Sequence, residues 1–366
     1  MGFMKKFFLV LLILFGIILA GFAQEVKVLP SQLGNVEKIQ YIEESDLHTK
    51  QLVDIKFLTG VFKDKFIQVE NILTDNPFYD IKLKINKKVI VHIEEVDGDL
   101  NFSIADICRW PVLVGLFVLF SLFLILVGRK KGINSLFAIL ITCILVINLL
   151  SPMILAGINP VFATISICLV STAVTMYLVG GVNKKSTAAI LGCTLSLLFA
   201  GILSVLTIKL ASLTGFSDEH TLLLFSSFPQ LDFVSILVST MILATLGADM
   251  DVAMSIASTI SEIYELDNTK SKKMLFKSGM NVGRDIIGTM ANTLILVYLG
   301  STLPLLLLAS NIDVQKFFNL NSVVTEISSA LIGSCAIVIC VPITALIASN
   351  LVTKTKQNFI FFNKQD

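Results

Sequence analysis

Residues 111–155 read PVLVGLFVLFSLFLILVGRKKGINSLFAILITCILVINLLSPMIL, two apolar runs joined by Gly128-Arg129-Lys130-Lys131-Gly132. The runs, Pro111–Val127 and Ile133–Leu155, each have about the length that carries a helix across a bilayer core. Charge is absent from both and concentrated between them, the pattern of two spans turning on a basic connection. Five further runs follow: Val161–Gly180, Thr187–Leu206, Phe233–Ala248, Ile286–Ala309 and Val323–Leu351. With 55% of its residues hydrophobic, the chain is predicted to be an α-helical polytopic membrane protein of seven spans.

The connections differ in charge by turns. Arg129, Lys130 and Lys131 follow the first span, and Lys184 and Lys185 the third. Lys270, Lys272, Lys273, Lys277 and Arg284 follow the fifth, and Lys354 and Lys356 the seventh. The alternate connections Ser151–Pro160 and Ala211–Pro229 carry no Lys or Arg, and Ser310–Ser322 has only Lys316. Because Lys and Arg are retained on the cytoplasmic side, this bias puts the C-terminus in the cytoplasm.

Upstream, Lys5 and Lys6 precede the apolar stretch Phe7–Phe22, and Gly21-Phe22-Ala23 offers small residues before Gln24. Residues 1–23 are therefore expected to be a signal peptide or an uncleaved N-terminal anchor. Residues 24–107 are polar, with period-two alternation in Leu52–Leu58, Phe66–Ile72 and Val89–Glu95. Thr59-Gly60 and Asp75-Asn76-Pro77 supply turns between them. A small β-rich domain outside the membrane, OB-like, is predicted there. The transmembrane helical domain then covers 108–353 and a cytoplasmic tail 354–366.

The polar residues within the helical part repay closer reading. Asn281, Asp285, Gly288 and Asn292 recur at spacings of four, three and four, which puts them on one helix face. Asp251, Ser255, Ser258 and Glu262 repeat that spacing before the basic connection. A thirty-residue offset aligns Val252, Ile256 and Thr259 with Val282, Ile286 and Thr289, too few identities to establish a repeat. Polar groups are costly in hydrocarbon and persist where they meet a bundle interior or a wet cavity. Asp251, Ser255, Asn281, Arg284, Asp285 and Asn292 are thus expected to line a site for an ion or small polar solute. Arg284 would pair with a carboxylate, and Gly283 and Gly288 would let helices approach closely. The competing account makes residues 249–264 an amphipathic surface helix whose polar face meets water. Asp249 and Glu262 fit that account better, and Asn292 fits an interhelical hydrogen bond.

Other polar residues have local explanations. Asp232 after Pro229, and Ser217-Asp218-Glu219-His220, read as helix caps. Glu326 reads as an interfacial carboxylate, and Pro342 as a kink.

Several function classes recede. The net charge is +1, and no aromatic-plus-basic pattern suggests a nucleic-acid surface. His48, His92 and His220 are far apart, and HExxH, GxSxG and GxxxxGK[ST] motifs are absent. All six cysteines (Cys108, Cys143, Cys168, Cys193, Cys335, Cys340) lie in or beside hydrophobic runs. They read as packing residues with no metal clamp. No enzymatic activity and no cofactor is expected.

The run Ser278-Gly279-Met280-Asn281-Val282-Gly283-Arg284-Asp285-Ile286-Ile287-Gly288-Thr289-Met290-Ala291-Asn292-Thr293-Leu294 carries a family resemblance, continued by Tyr298-Leu299-Gly300-Ser301. Met250-Asp251-Val252-Ala253-Met254-Ser255-Ile256-Ala257-Ser258, Val69-Glu70-Asn71 and Asn76-Pro77-Phe78-Tyr79-Asp80 share it. In these the chain resembles the YibE/F family of bacterial multi-pass membrane proteins. Asp249 departs from the apolar residue expected at its position, which weakens a role for it. The resemblance implies a multi-pass protein of the bacterial cytoplasmic membrane and leaves its activity open. Two functions are carried forward. One is a transporter or permease for an ion or small polar solute. The other is a non-catalytic scaffold or sensor whose exterior domain binds an envelope component or partner protein. The bilayer is the partner common to both.

Overall fold

The computed structural model describes residues 29–44, 49–74, 76, 80–96 and 99–362. The expected signal or anchor, and Asp75 and Pro77 of the expected turn, lie outside the described residues. The chain divides into two compact units, 1–123 and 124–366.

Among the described residues, five antiparallel strands form the first unit's core: β1 (Leu29–Glu44), β2 (Thr49–Phe57), β3 (Phe66–Leu73), β4 (Lys88–Val96) and β5 (Asp99–Ile107). Their order, β3-β2-β1-β4-β5, returns β4 beside β1 in a Greek key. β3 and β5 also approach one another, so the sheet curls into a near-barrel. Alternation fixes which side faces in: Val53, Ile55 and Phe57 of β2 are buried, as are Val89, Val91 and Ile93 of β4. Phe57, Phe62 and Phe102 cluster, with ring centroids 5.5–6.0 Å apart. The buried Gln51 and Asn71 side chains share a hydrogen bond of 3.0 Å, and Asn71 also donates to the Ile81 carbonyl. Gly60, at φ +81°, makes the turn after β2 that a side chain would strain.

β2, β3 and β4 coincide with the three expected strands. β1 was not foreseen because Pro30, Gly34 and two register slips break its alternation. β5 was not foreseen either, although Leu100, Phe102 and Ile104 recur at period two.

Among the described residues, six helices are long and apolar enough to cross a membrane. The first, α1 (Trp110–Leu145), continues through a π-helical turn and α2 (Ser151–Leu155). Arg129 breaks it with φ 49° and ψ −127°. Beyond the break the chain doubles back, for a Cβ on Gly132 would collide with the Leu124 carbonyl. Two of the expected spans are therefore joined here by a one-residue break in helical geometry.

α3 (Pro160–Gly180), α4 (Lys184–Leu210), α6 (Phe233–Leu266), α7 (Lys272–Ser301) and α10 (Asn321–Phe362) are the other long helices. Shorter ones intervene: α5 (Glu219–Ser227), α8 (Leu303–Leu308) and α9 (Val314–Phe317). Asp218 and Asp232 cap α5 and α6 as the sequence suggests, accepting from Thr221 N (2.8 Å) and Ser235 N (3.1 Å). The Thr221 hydroxyl, with the backbone cap, holds the Asp218 carboxyl below its ordinary range. α10 runs through Pro342 without interruption and reaches Phe362, so helix occupies most of the expected tail.

The competing account of residues 249–264 is corrected here. Residues 249–264 are not a separate surface helix. No Gly or Pro follows Gly247 in this stretch, and α6 continues to Leu266 with Val252, Ala253, Ile256, Ala257 and Ile260 buried.

α4, α6 and α10 form the centre of the bundle, with α3 and α7 packed against it. Their contact stripes are made of small residues at four-residue spacing. Gly192, Ser196, Ala200 and Ser204 lie on α4, Asp249, Ala253 and Ala257 on α6, and Ala336, Cys340, Thr344 and Ala348 on α10. Lipid gives apolar side chains no reason to prefer each other, so close backbone approach and dispersion hold such helices together. A Cβ on Gly192 would collide with the Thr344 hydroxyl. On α7, a Cβ at Gly279 would meet Ile260 at 2.6 Å, and one at Gly283 would strike Val341. Gly283 therefore does what the sequence suggests. Gly288 does not, having no atom within 4 Å of its would-be Cβ.

Gly283→Leu is expected to destabilise the bundle by about 1–3 kcal/mol through overpacking against α10. Gly247→Leu, with open space at its Cβ, should cost little. Unfolding midpoints of the two variants in the same detergent check this.

Candidate functional site

Ser196, Asp249 and Thr344 are buried polar groups where α4, α6 and α10 meet. Asp249 of α6 lies at the centre and is 0% exposed. Neither of its carboxylate oxygens has a hydrogen-bond partner among the described residues. Ser196 of α4 is its polar neighbour, but that hydroxyl has one proton and donates it to the Ala336 carbonyl at 2.7 Å. The Cys340 thiol donates to the backbone carbonyl of Asp249 (3.7 Å) and lies 3.6 Å from the Thr344 hydroxyl. Across α4, Cys193 is 3.9 Å from the Thr172 hydroxyl of α3. Hydroxyls and thiols from three helices, α3, α4 and α10, thus surround the carboxyl group that α6 supplies. Among the described residues no ion pair reaches it, although Lys184, Lys185 and other cations lie at the bundle's ends.

Local sequence explains this placement. Asp249, Ala253 and Ala257 are one turn apart, so the acid stands on the stripe that α6 turns toward its neighbours. Absence of a side chain at Gly192 lets Thr344 in close. About 16 residues of α6 separate Phe233 from Asp249, or about 24 Å of helix, which places the acid deep in the bundle rather than at its rim. No three His, Cys, Asp or Glu side chains converge on a common point among the described residues. The arrangement is therefore suited to a proton or a single small cation, with oxygens as the donors.

A polar cleft of about 360 Å³ opens at the Lys/Arg-rich end of the same three helices. Lys184 and Lys185 of α4, Tyr264 and Glu265 of α6, and Val352 of α10 line it. Between it and Asp249 these helices carry buried Ala189, Ile256, Ile260, Ala345 and Ala348. Toward the opposite end, half-buried Glu326 lines a cleft of about 120 Å³ with Tyr298 and Thr302.

The six side chains expected from the sequence lie elsewhere. Asp251, Ser255, Asn281, Arg284, Asp285 and Asn292 are all exposed. Asp251 leaves α6 about 200° around the axis from Asp249, at 100° per residue. Gly283 faces α10, and nine residues on, at about 900° of turn, Asn292 points the opposite way. Arg284 meets no carboxylate; its Nη1 donates to Asn281 Oδ1 at 3.4 Å. Asn292 forms no interhelical hydrogen bond among the described residues, and its side chain is exposed.

From the sequence, Asp249 fitted a water-facing surface helix better than a site and departed from the apolar residue expected at its position, so it was not among the expected site residues. One signal was available: its stripe matches those of small residues on α4 and α10, which mark helices that touch.

Residues 116–354 match the family model for YibE/F-like proteins, and residues 25–107 that for the YibE/F family N-terminal domain. No curated protein and no solved structure matches the chain.

If the Asp249 carboxyl makes no compensating contact, removing it should relieve the fold. Asp249→Val is expected to leave thermal stability unchanged or raise it by about 1–3 kcal/mol. A clear loss of stability in detergent would mean that the carboxyl has a structural partner.

Proposed function

The chain belongs to the YibE/F family, and from that premise we propose that it is a permease whose buried Asp249 carries the coupling proton or cation. It is read as a multi-pass protein of the bacterial cytoplasmic membrane with seven crossings, the first two turning at Arg129. The β domain then lies outside and the basic connections in the cytoplasm. The reading includes no enzymatic step.

One observation carries it. A fully buried carboxyl group stands at the centre of the bundle with no cation and no hydrogen-bond donor committed to it among the described residues. An ionised carboxylate so placed costs several kcal/mol or more, so the site is electrically complete only with a proton or cation bound. Ionisable groups inside membrane domains characteristically mark ion pathways. Ser196 has a second option: rotation of its hydroxyl would transfer its hydrogen bond from Ala336 to Asp249 when the bound ion leaves. The basic cleft at the end of α4, α6 and α10 provides the cytoplasmic approach. The buried apolar residues between cleft and acid keep the route closed until the helices shift. Asp251, Ser255, Asn281, Arg284, Asp285 and Asn292 lie outside this route. Their outward position favours assembly with another chain, which is how the scaffold alternative enters.

The test uses the full chain in proteoliposomes containing a pH-sensitive dye, with proton, sodium or potassium gradients imposed in turn. Asp249→Asn should lower flux by at least about tenfold, equivalent to about 1.4 kcal/mol on the barrier. Asp249→Glu should retain part of it. Folded Asp249→Asn protein with the native rate, or loss of flux with Asp251→Asn instead, overturns the proposal.

A further inference from the structure

α7 turns a polar face away from its own bundle. Asn281, Arg284, Asp285, Gly288 and Asn292 are exposed on the side opposite the Gly279 and Gly283 contacts. Asn292 is nine residues, about 14 Å, from the end of α7 at Ser301, near the middle of a ~30 Å hydrocarbon core. Neighbouring hydroxyls on this helix are already satisfied, Thr289 by the Ile286 carbonyl (3.0 Å) and Thr293 by the Thr289 carbonyl (2.9 Å). Asp285 and Asn292 have no hydrogen bond or ion pair among the described residues. Lipid tails cannot supply one.

Nor can the remaining apolar segments of this chain. Residues 111–127 contain one polar side chain, Ser121, and its hydroxyl donates to the Phe117 carbonyl at 2.7 Å. Residues 7–22 contain none. A helix carrying matching groups at the same depth is present in a second copy.

We propose that two copies pair across these faces of α7, about a two-fold axis along the membrane normal. In such an isologous contact each residue meets itself or its neighbour at equal depth. An Asn amide has both donor and acceptor, so Asn292 can pair with its counterpart in the second copy. Arg284 and Asp285 are adjacent in sequence and opposite in charge. Each arginine therefore reaches the other copy's aspartate, giving two equivalent charge-assisted contacts. Gly288, between these two levels and with nothing near its Cβ position, is where the two backbones cross most closely. The pairing encloses groups that a single copy leaves facing lipid, and it turns a polar stripe into an interface.

Full-length protein in nanodiscs, with the exposed or half-exposed Cys108, Cys143 and Cys335 replaced by alanine, tests this. Gly288→Cys and Asn292→Cys should each form a covalent dimer under copper–phenanthroline oxidation. Ile202→Cys, at a position 71% exposed on α4, should not. Arg284→Asp or Asp285→Arg alone should weaken dimerisation by at least about tenfold, and the double charge exchange should restore it. A monomeric mass for the native chain at every concentration, cross-linking at 202 as readily as at 292, or a covalent product with a different polypeptide overturns the pairing. So does a double exchange that remains as weak as the single variants.

Discussion

Three helices, α4, α6 and α10, can lie against one another only because glycine, alanine, serine and cysteine occupy the positions where they touch. In water, burying large apolar side chains would hold such a bundle together. In lipid that drive is absent, and contact must come from backbones near enough for dispersion to accumulate. The stripes through Gly192, Ala253 and Cys340 provide this. α7 joins the same arrangement through Gly279 and Gly283, whose missing side chains leave room for Ile260 and Val341.

The same tight packing makes one residue anomalous. A core that excludes large side chains also excludes water, yet Asp249 stands on the α6 contact stripe. Its presence is unfavourable unless a bound ion or proton offsets the charge, which is why the permease reading is centred there. The outer side of α7 presents the inverse case, with polar groups where lipid is expected. Inside, a charge lacks a counter-charge; outside, a polar face lacks a covering surface. The proposed mobile ion would answer the first, and the proposed second copy of the chain the second.

The β unit depends on more familiar physics. Val53, Ile55 and Phe57 from one strand and Val89, Val91 and Ile93 from another close a small apolar core. The Gln51–Asn71 pair shows how polar groups are admitted there. Gln51 and Asn71 find each other inside the domain, in contrast with the Asp249 carboxylate, which has no hydrogen-bond partner among the described residues.

Most of the elements could be read from the chain itself. Runs of about 20 apolar residues, basic connections, alternation in β2 to β4 and caps at Asp218 and Asp232 reflect transfer energies and hydrogen bonds that act within a short stretch. The sequence also marked Gly283 as a contact and Asn281, Asp285 and Asn292 as one face. It could not say which way that face points. Asp251 and Asp249 are two residues apart and chemically identical, and only the packing of α4 and α10 against one side of α6 buries one and exposes the other. A helix face acquires an inside when its neighbours are placed, so periodicity revealed the polar stripe while tertiary structure decided that it faces outward and that Asp249 lies within.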